Sequence, residues 1–184
     1  MKRAVILHGT DEAPEVNWFP WLKKKLEEQG YEVWVPLLPN NHTPDRQVYN
    51  DFLLGSGWDF TDNIVVGHSS GAVSVLNLLM DGRCPKIKLG VMVSAWDHGV
   101  PTDMDYEQFL KLFPEGGFDF ATIKAKADKL ALLHSADDPY CPLEQAQYLA
   151  KNLNAPLTVI QNGGHLGDKF PEFPQLLQVI EPEL

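Results

Sequence analysis

Residues 63–73, Asn-Ile-Val-Val-Gly-His-Ser-Ser-Gly-Ala-Val, constrain the fold more than any other stretch of this chain. A short β-branched run ends at Gly67, a serine follows at Ser69, and Gly71 leads into a run of helix-forming residues. A Gly-x-Ser-x-Gly sequence between a strand and a helix is typical of a sharp turn that exposes the serine hydroxyl at a sheet edge. Glycine suits the flanking positions because neighbouring chain would crowd a Cβ there. We therefore predict a nucleophile elbow with Ser69 at its tip.

The same glycines are compatible with a phosphate-binding turn at a helix N-terminus. The chain, however, contains neither Gly-x-Gly-x-x-Gly nor Gly-Lys-Ser/Thr, which are the fingerprints of nucleotide sites. The residues that activate a serine nucleophile also occur downstream, in the order serine, acid, histidine. The sequence therefore favours nucleophilic catalysis over phosphate binding.

His165 is the predicted general base. It follows the last predicted strand, and the glycines on both sides of it allow the backbone to carry the imidazole over the sheet edge. No pair among the six histidines has helical i, i+4 spacing with a nearby acid, so we predict no metal site. The other histidines end strands, lie in loops or fill the elbow, and are less well placed: His8, His42, His68, His98 and His134.

The acid of the predicted triad lies in the loop after the fifth strand, where Asp137 and Asp138 are adjacent. We favour Asp138, because Pro139 disfavours the helical region for the residue before it and suits a carboxylate turned toward the sheet edge. Asp137 is then left to brace the turn through hydrogen bonds with nearby backbone N–H groups. The residues alone leave both acids open, and the choice also depends on the resemblance described below.

An oxyanion hole needs two backbone N–H donors directed at the negative charge that develops on the substrate. Ser70 is the first candidate, because it follows the nucleophile and begins the elbow helix, whose dipole is favourable there. The second donor should come from the tight loop after the first strand, His8-Gly9-Thr10. We predict Thr10, with Gly9 as the alternative.

Predicted strands and helices alternate along the chain, which indicates an α/β fold with a parallel sheet, right-handed crossovers and helices on both faces. Asn17 is predicted to cap the first helix, and Thr43 to cap the second ahead of Pro44. The predicted strands are 4–7, 31–35, 63–66, 88–94, 130–134 and 157–160, and the predicted helices are 18–29, 44–55, 70–80, 120–125, 142–152 and 173–180.

Residues 95–117 break this alternation with a long connection of weak helical character. Connections of this length are usually functional, so we interpret the segment as a short lid over the sheet edge, with a plain crossover as the alternative. Trp96 and Phe113 in this segment, and Tyr140 in the acid loop, are the predicted substrate-binding residues. The alternative role of the segment's aromatic residues is to fill the core.

The length of 184 residues suits one domain, which we assign to residues 1–184. Cys84 and Cys141 are too few and too far apart for a disulfide framework and indicate a reducing compartment. No stretch reaches the roughly 20 apolar residues of a membrane span, and the first apolar run is too short for a signal peptide, so we expect a cytoplasmic protein. The net charge of −10 disfavours nucleic acid and anionic membranes as partners.

Together these motifs resemble an α/β-hydrolase. The elbow Gly-His-Ser-Ser-Gly-Ala, the acid loop Ser-Ala-Asp-Asp-Pro and the short length are similar to the small serine hydrolases related to retinoblastoma-binding protein nine and YdeN. The resemblance covers essentially the whole chain. It implies a triad of Ser69, Asp138 and His165, a three-layer αβα sandwich with a six-stranded sheet in the order 2-1-3-4-5-6, and hydrolysis without a cofactor. The Leu-x-Cys-x-Glu motif associated with pocket-protein binding is absent, so that partnership is not carried over and any protein partner is unknown.

Two functions of different classes follow from these observations. The first is a serine hydrolase, carboxylesterase-like, that acts on small-molecule esters or amides; thioesterase and aminopeptidase-like activities share its mechanism. The second is a binding module that keeps the hydrolase fold without useful turnover, because a fold does not imply a function. A serine, an acid and a histidine in the required order favour the enzyme.

Overall fold

The computed structural model describes residues 1–97 and 106–184, and the strands in this part of the chain form a six-stranded parallel sheet. Its strands are β1 (Arg3–Leu7), β2 (Glu32–Trp34), β3 (Ile64–His68), β4 (Ile87–Val93), β5 (Ala127–Ser135) and β6 (Leu157–Ile160). The strand order is β2-β1-β3-β4-β5-β6, and each neighbouring pair is parallel. The order implied by the resemblance is confirmed.

Helices cover both faces of the sheet and complete the three layers. Their bounds are α1 (Phe19–Glu28), α2 (Arg46–Gly55), α3 (Ser70–Met80), α4 (Phe120–Ala125), α5 (Leu143–Leu153) and α6 (Pro174–Ile180), with short 3-10 helices at Tyr106–Phe109 and Glu181–Glu183. Side chains of α1 and α6 lie in one apolar cluster, and those of α2, α3, α4 and α5 lie in the other. Among the described helices, none has the length and apolar character that crossing a membrane would require.

Successive side chains of the buried strands point to opposite faces of the sheet and therefore belong to different clusters. In β1, Val5 and Leu7 belong to the cluster on the α3 side, whereas Ala4 and Ile6 belong to the cluster on the α1 side. This is the period of two that a strand buried on both faces requires. The elbow helix α3 is buried along residues 70–79, which explains its nearly continuous apolar sequence and fixes its start rigidly against the sheet.

Two predicted helix caps are wrong. Asn17 does not cap α1; it has a left-handed φ of 55°, and its amide donates instead to the Glu12 carboxylate at 2.6 Å. Thr43 does not cap α2, because the Asp45 carboxylate accepts the Gln47 and Val48 N–H groups at 2.8 and 3.2 Å. An ionised carboxylate at the positive end of a helix is a stronger cap than a hydroxyl.

The parallel register brings the ends of separate strands to the same carboxyl edge. Leu7 pairs with Gly67, His68 with Val93, and Ser135 with Ile160. Ligand sites of open α/β sheets form at this edge. Four connections meet there, which we call the oxyanion loop (residues 8–12), the elbow (67–71), the acid loop (136–142) and the base loop (161–167).

Part of the predicted lid, residues 98–105, lies outside the described residues. Beyond them, the Lys111 carbonyl accepts the Arg46 N–H at 2.9 Å, and the Leu112 carbonyl accepts the Asn77 amide at 2.7 Å. These bonds attach the second half of the segment to α2 and α3. Closure of a lid over the site stays a prediction.

Candidate active site

Ser69 occupies a strained turn between β3 and α3. Its φ of 53° and ψ of −123° lie in a region that L-residues rarely adopt, at a cost of about 1–3 kcal/mol. A Cβ on Gly67 would lie 2.2 Å from the Gly71 carbonyl oxygen, and a Cβ on Gly71 would lie 2.3 Å from that of Leu7. Both glycines are therefore required by close backbone approach, as the sequence pattern predicted.

The hydroxyl of Ser69 faces the imidazole of His165. Ser69 Oγ lies 2.9 Å from His165 Nε2, and His165 Nδ1 lies 2.9 and 3.0 Å from the two carboxylate oxygens of Asp138. Since an ionised carboxylate only accepts, the proton of a neutral imidazole sits on Nδ1, and the Nε2 lone pair is free to accept the serine proton. The sheet thus brings together the three residues in the geometry of a serine nucleophile, a base and an orienting acid.

Asp138 is held as an anion in a buried position. Its side chain is 0% exposed and accepts the backbone N–H groups of Tyr140 and Cys141 at 2.9 and 3.0 Å. Burial favours the neutral acid, but the hydrogen bond and charge of His165, together with these N–H donors, lower the pKa of the Asp138 carboxyl below its usual value. An anion at this position holds the His165 imidazole in the required tautomer.

Asp137 has the bracing role that the sequence predicted for it. Its carboxylate accepts the Ser135 hydroxyl and, at 3.1 Å, the N–H of Gly164 in the base loop. These same two hydrogen bonds lower the pKa of the Asp137 carboxyl below its usual value. Asp137 therefore ties the acid loop to the base loop, while Asp138 faces the imidazole.

Two backbone N–H groups are available beside Ser69. Ser70 begins α3, so its N–H belongs to the first turn, where no intrahelical acceptor exists. The Gly9 N–H is already donated to the Glu12 carboxylate, whereas the Thr10 N–H has no acceptor within the described ranges. The Thr10 hydroxyl also donates to the Ser70 hydroxyl at 2.9 Å and links the two positions. The geometry thus favours Thr10 over Gly9 as the second oxyanion donor.

Buried His8 sets the direction of the Thr10 N–H. His8 Nε2 accepts the Leu38 N–H at 2.9 Å, so Nδ1 carries the proton and donates to the Gly9 carbonyl at 2.7 Å. In a trans peptide the C=O and the following N–H point in opposite directions, so the Thr10 N–H points away from His8. Burial lowers the pKa of His8, so its ring stays neutral and keeps one donor and one acceptor nitrogen.

The three predicted substrate-binding residues lie in different surroundings. Tyr140 is 47% exposed, and its ring stands edge-on to the His165 ring with centroids 5.0 Å apart. Trp96 is only 6% exposed and packs against Phe109 and Phe113, each at 5.7 Å between centroids. Tyr140 therefore borders the candidate site, whereas Trp96 and Phe113 pack with the core cluster. Substrate binding by these three residues stays a prediction.

A further carboxylate and imidazole, next to the candidate triad, are not predicted from the sequence. His68 Nδ1 lies 3.0 Å from Glu12 Oε2, and His68 Nε2 lies 2.8 Å from the carbonyl oxygen of His165. In the sequence analysis His68 only fills the elbow, and Glu12 has no predicted role. The adjacency of β1 and β3 was the available signal, since it places the loop after β1 beside the end of β3.

Among the described residues, one group of side chains has the spacing of a metal site. The potential ligand atoms of Asp138, Cys141 and His165 lie within 4.8 Å of one another. Asp138 and His165 are hydrogen-bonded to each other, and burial raises the pKa of the Cys141 thiol well above its usual range. A protonated thiol is a poor metal ligand, so the donor set is better suited to proton transfer than to coordination.

Comparison with known proteins gives a matching family and relatives that align along nearly the whole chain. The sequence profile of the family described as serine hydrolase matches residues 4–181. YdeN of Bacillus subtilis (strain 168) is 30% identical over 184 residues, which cover 97% of this chain and 94% of YdeN. Serine hydrolase RBBP9 of Rattus norvegicus is 24% identical over 185 residues, which cover 99% of this chain and 95% of RBBP9. The crystal structure of the ydeN gene product of B. subtilis matches with a TM-score of 0.84 and 27% identity, over 99% of this chain and 98% of that chain.

Proposed function

Because this chain belongs to the serine hydrolase family, we propose that it hydrolyses carboxyl esters or amides of small substrates through an acyl-enzyme on Ser69. The observation that carries the proposal is the continuous hydrogen-bonded row from Ser69 Oγ through the His165 imidazole to Asp138, with each step at 2.9–3.0 Å. A serine hydroxyl is a weak nucleophile until a base removes its proton, and this row supplies the base and its orienting acid.

The first half-reaction forms the acyl-enzyme. Ser69 Oγ attacks the carbonyl carbon of the substrate while His165 Nε2 takes the hydroxyl proton, and Asp138 stabilises the imidazolium that results. The Thr10 and Ser70 N–H groups donate to the oxyanion. Collapse of the tetrahedral intermediate breaks the bond to the leaving group, which receives the proton from His165 and departs as an alcohol or amine.

The second half-reaction returns the enzyme to its starting state. Water takes the place of the leaving group and attacks the acyl carbon, and His165 accepts the water proton. The same two N–H donors stabilise the second oxyanion. Collapse releases the carboxylic acid and returns the proton to Ser69 Oγ, so each cycle consumes one water and leaves the protein unchanged.

Labelling by a fluorophosphonate probe tests this proposal. Wild-type protein should be labelled on Ser69 and show a burst of acylation with an activated ester, whereas Ser69→Ala should show neither. Ser56→Ala is the matched control, because Ser56 lies at the end of α2 and outside the site. Wild-type protein that resists the probe, or Ser69→Ala protein that is still labelled, would contradict the proposal and favour a binding module.

A panel of activated esters, thioesters and aminoacyl amides then separates the substrate classes. We propose carboxyl esters as the best substrates and small molecules as the substrate class, since the alcohol of an ester leaves more readily than the amine of an amide. A thioester, whose thiol leaves more readily still, is the alternative that the panel tests. If kcat/KM is highest for thioesters or for aminoacyl amides, the assignment moves to that class.

A further inference from the structure

A second carboxylate–imidazole pair lies directly behind the triad. The Glu12 carboxylate and the His68 imidazole are 3.0 Å apart, and their side chains are 19% and 1% exposed. The His68 ring lies beside the His165 ring, with centroids 5.1 Å apart. The proposed mechanism uses neither residue, so a buried ionisable pair in this position requires its own explanation.

The partners of His68 determine its charge. Nδ1 faces the Glu12 carboxylate, and Nε2 faces the His165 carbonyl oxygen at 2.8 Å. A neutral imidazole has one donor and one acceptor nitrogen, whereas an imidazolium has two donors. Only the imidazolium makes both hydrogen bonds with an ionised Glu12.

The electrostatics around the pair agree with this charge state. Burial opposes the imidazolium, but the Glu12 hydrogen bond and charge, the His165 carbonyl and the charge of Asp138 raise the pKa of His68. Burial likewise opposes the Glu12 carboxylate, but His68, the Gly9 N–H and the Asn17 amide lower its pKa. Among the described residues, the imidazoles of His8 and His165 also interact with His68.

The pair connects three of the loops that form the site. Glu12 belongs to the oxyanion loop and accepts the N–H of Gly9, the residue before the predicted donor Thr10. His68 immediately precedes Ser69 in the elbow. Its second hydrogen bond is to the backbone of His165 in the base loop, whose carbonyl also accepts the Ser94 hydroxyl at 3.1 Å.

We propose that the Glu12–His68 ion pair is a positioning device that holds the oxyanion loop and the base loop at fixed distances from the nucleophile Ser69. The carboxylate fixes the Gly9 peptide, and the imidazolium fixes the His165 backbone. Neither residue touches the reacting atoms, so both act through the groups that they hold. This inference rests on the proposed hydrolase function for its kinetic consequence, while the charge state of His68 is independent of that function.

Glu12→Gln tests the role in catalysis, because the amide keeps the shape of the side chain and removes its charge. Without its counter-ion the buried His68 loses a proton, and its Nδ1 can then only accept a hydrogen bond. The amide NH2 can donate to Nδ1 only if it replaces the oxygen that accepts the Gly9 N–H, so either the His68 or the Gly9 hydrogen bond is lost and the loop it holds is released. We expect kcat to fall by about 10- to 100-fold while KM changes by less than about threefold, since positioning acts on the transition state rather than on ground-state binding. The loss should deepen as the pH rises from 6 to 8.

Glu32→Gln is the matched control, because it makes the same chemical change outside the site. Glu32 in β2 lies 3.2 Å from Arg3 Nε, and the two side chains are 51% and 26% exposed. Removal of this charge should leave kcat and its pH dependence unchanged, because exposed pairs contribute little. A kcat for Glu12→Gln within threefold of that for Glu32→Gln would overturn the proposal.

Nitrogen-15 NMR of the wild-type histidines tests the ion pair without a variant that must fold. Both ring nitrogens of His68 should carry protons at pH 7, and these protons should exchange slowly. A single protonated nitrogen at pH 7 would overturn the proposal, since it would mean a neutral pair in which a protonated Glu12 donates to Nδ1. Wild-type protein that fails to react with the fluorophosphonate probe would contradict the hydrolase function and leave this measurement of His68 intact.

Discussion

Replacing Gly71 with alanine should separate the two halves of the proposed oxyanion hole without altering a side chain of the proposed triad. The added Cβ would lie 2.3 Å from the Leu7 carbonyl oxygen and 2.5 Å from that of His8. Both are backbone atoms at the end of β1, where Leu7 is paired with Gly67 of β3. They cannot rotate away as a flexible side chain would, so the start of α3 must move instead.

The size of that movement follows from the contact distances. Cβ atoms essentially never approach a neighbour more closely than 3.0 Å, so α3 must shift from β1 by about 0.7 Å. Ser70 moves with α3, whereas Thr10 stays with the loop after β1. A misplacement of about 1 Å costs on the order of 100-fold in rate, so we expect kcat/KM to fall by about 30- to 100-fold. Overpacking should also lower the free energy of unfolding by about 1–3 kcal/mol.

Gly55→Ala provides the matched control for this substitution. Gly55 ends α2, and a Cβ there meets nothing within 4 Å. The same chemical change should therefore leave activity unaltered and raise the free energy of unfolding by about 0.4–1 kcal/mol, because alanine restricts the unfolded chain. Steady-state hydrolysis of an activated ester and urea denaturation measure both quantities. Activity of Gly71→Ala within threefold of Gly55→Ala would refute the reasoning.

Two further predictions concern the acids and the buried histidines. Asp138→Asn should lower kcat by up to about 10⁴-fold, because the amide favours the wrong His165 tautomer, whereas Asp137→Asn should cost far less; the reverse ranking in steady-state kinetics would make Asp137 the triad acid. The free energy of unfolding, measured in urea, should fall as the pH is lowered from 6.5 to 5.5, because burial lowers the pKa of His8 and His134 in the folded protein and the unfolded chain takes up their protons first. The raised pKa of His68 opposes this with one proton, so the net slope should not exceed about 1.4 kcal/mol per pH unit, and a flat profile would contradict the prediction.

The features that the sequence predicted correctly depend on short stretches of chain. The strained turn at Ser69 is encoded by two glycines within two residues of it, and the structure shows a backbone contact for each. Alternating strands and helices predict a parallel sheet, and the carboxyl ends of parallel strands meet at one edge. This rule places Asp138 and His165 near Ser69 although 27 residues separate the acid from the base.

The features that the sequence did not predict depend on contacts between distant residues. Asn17 has the residue type and position of a helix cap, but its amide donates a hydrogen bond to the Glu12 carboxylate, five residues earlier. Glu12 in turn contacts His68, from which it is separated by 56 residues. Local propensity does not determine which acid or amide of one loop will contact a residue at the end of a neighbouring strand. The caps and the ion pair therefore became visible only when the sheet order was known.

The placement of strain and buried charge at the carboxyl edge favours an enzyme over a binding module. The φ of 53° at Ser69 costs about 1–3 kcal/mol, and a fold that only bound a partner would gain nothing from it. The buried pair of Glu12 and His68 also loses hydration that an apolar pair would not lose. Both costs occur where the two N–H donors and the imidazole must keep fixed distances from one hydroxyl. A preorganised site for a charged transition state requires that rigidity, whereas binding of a ground state does not.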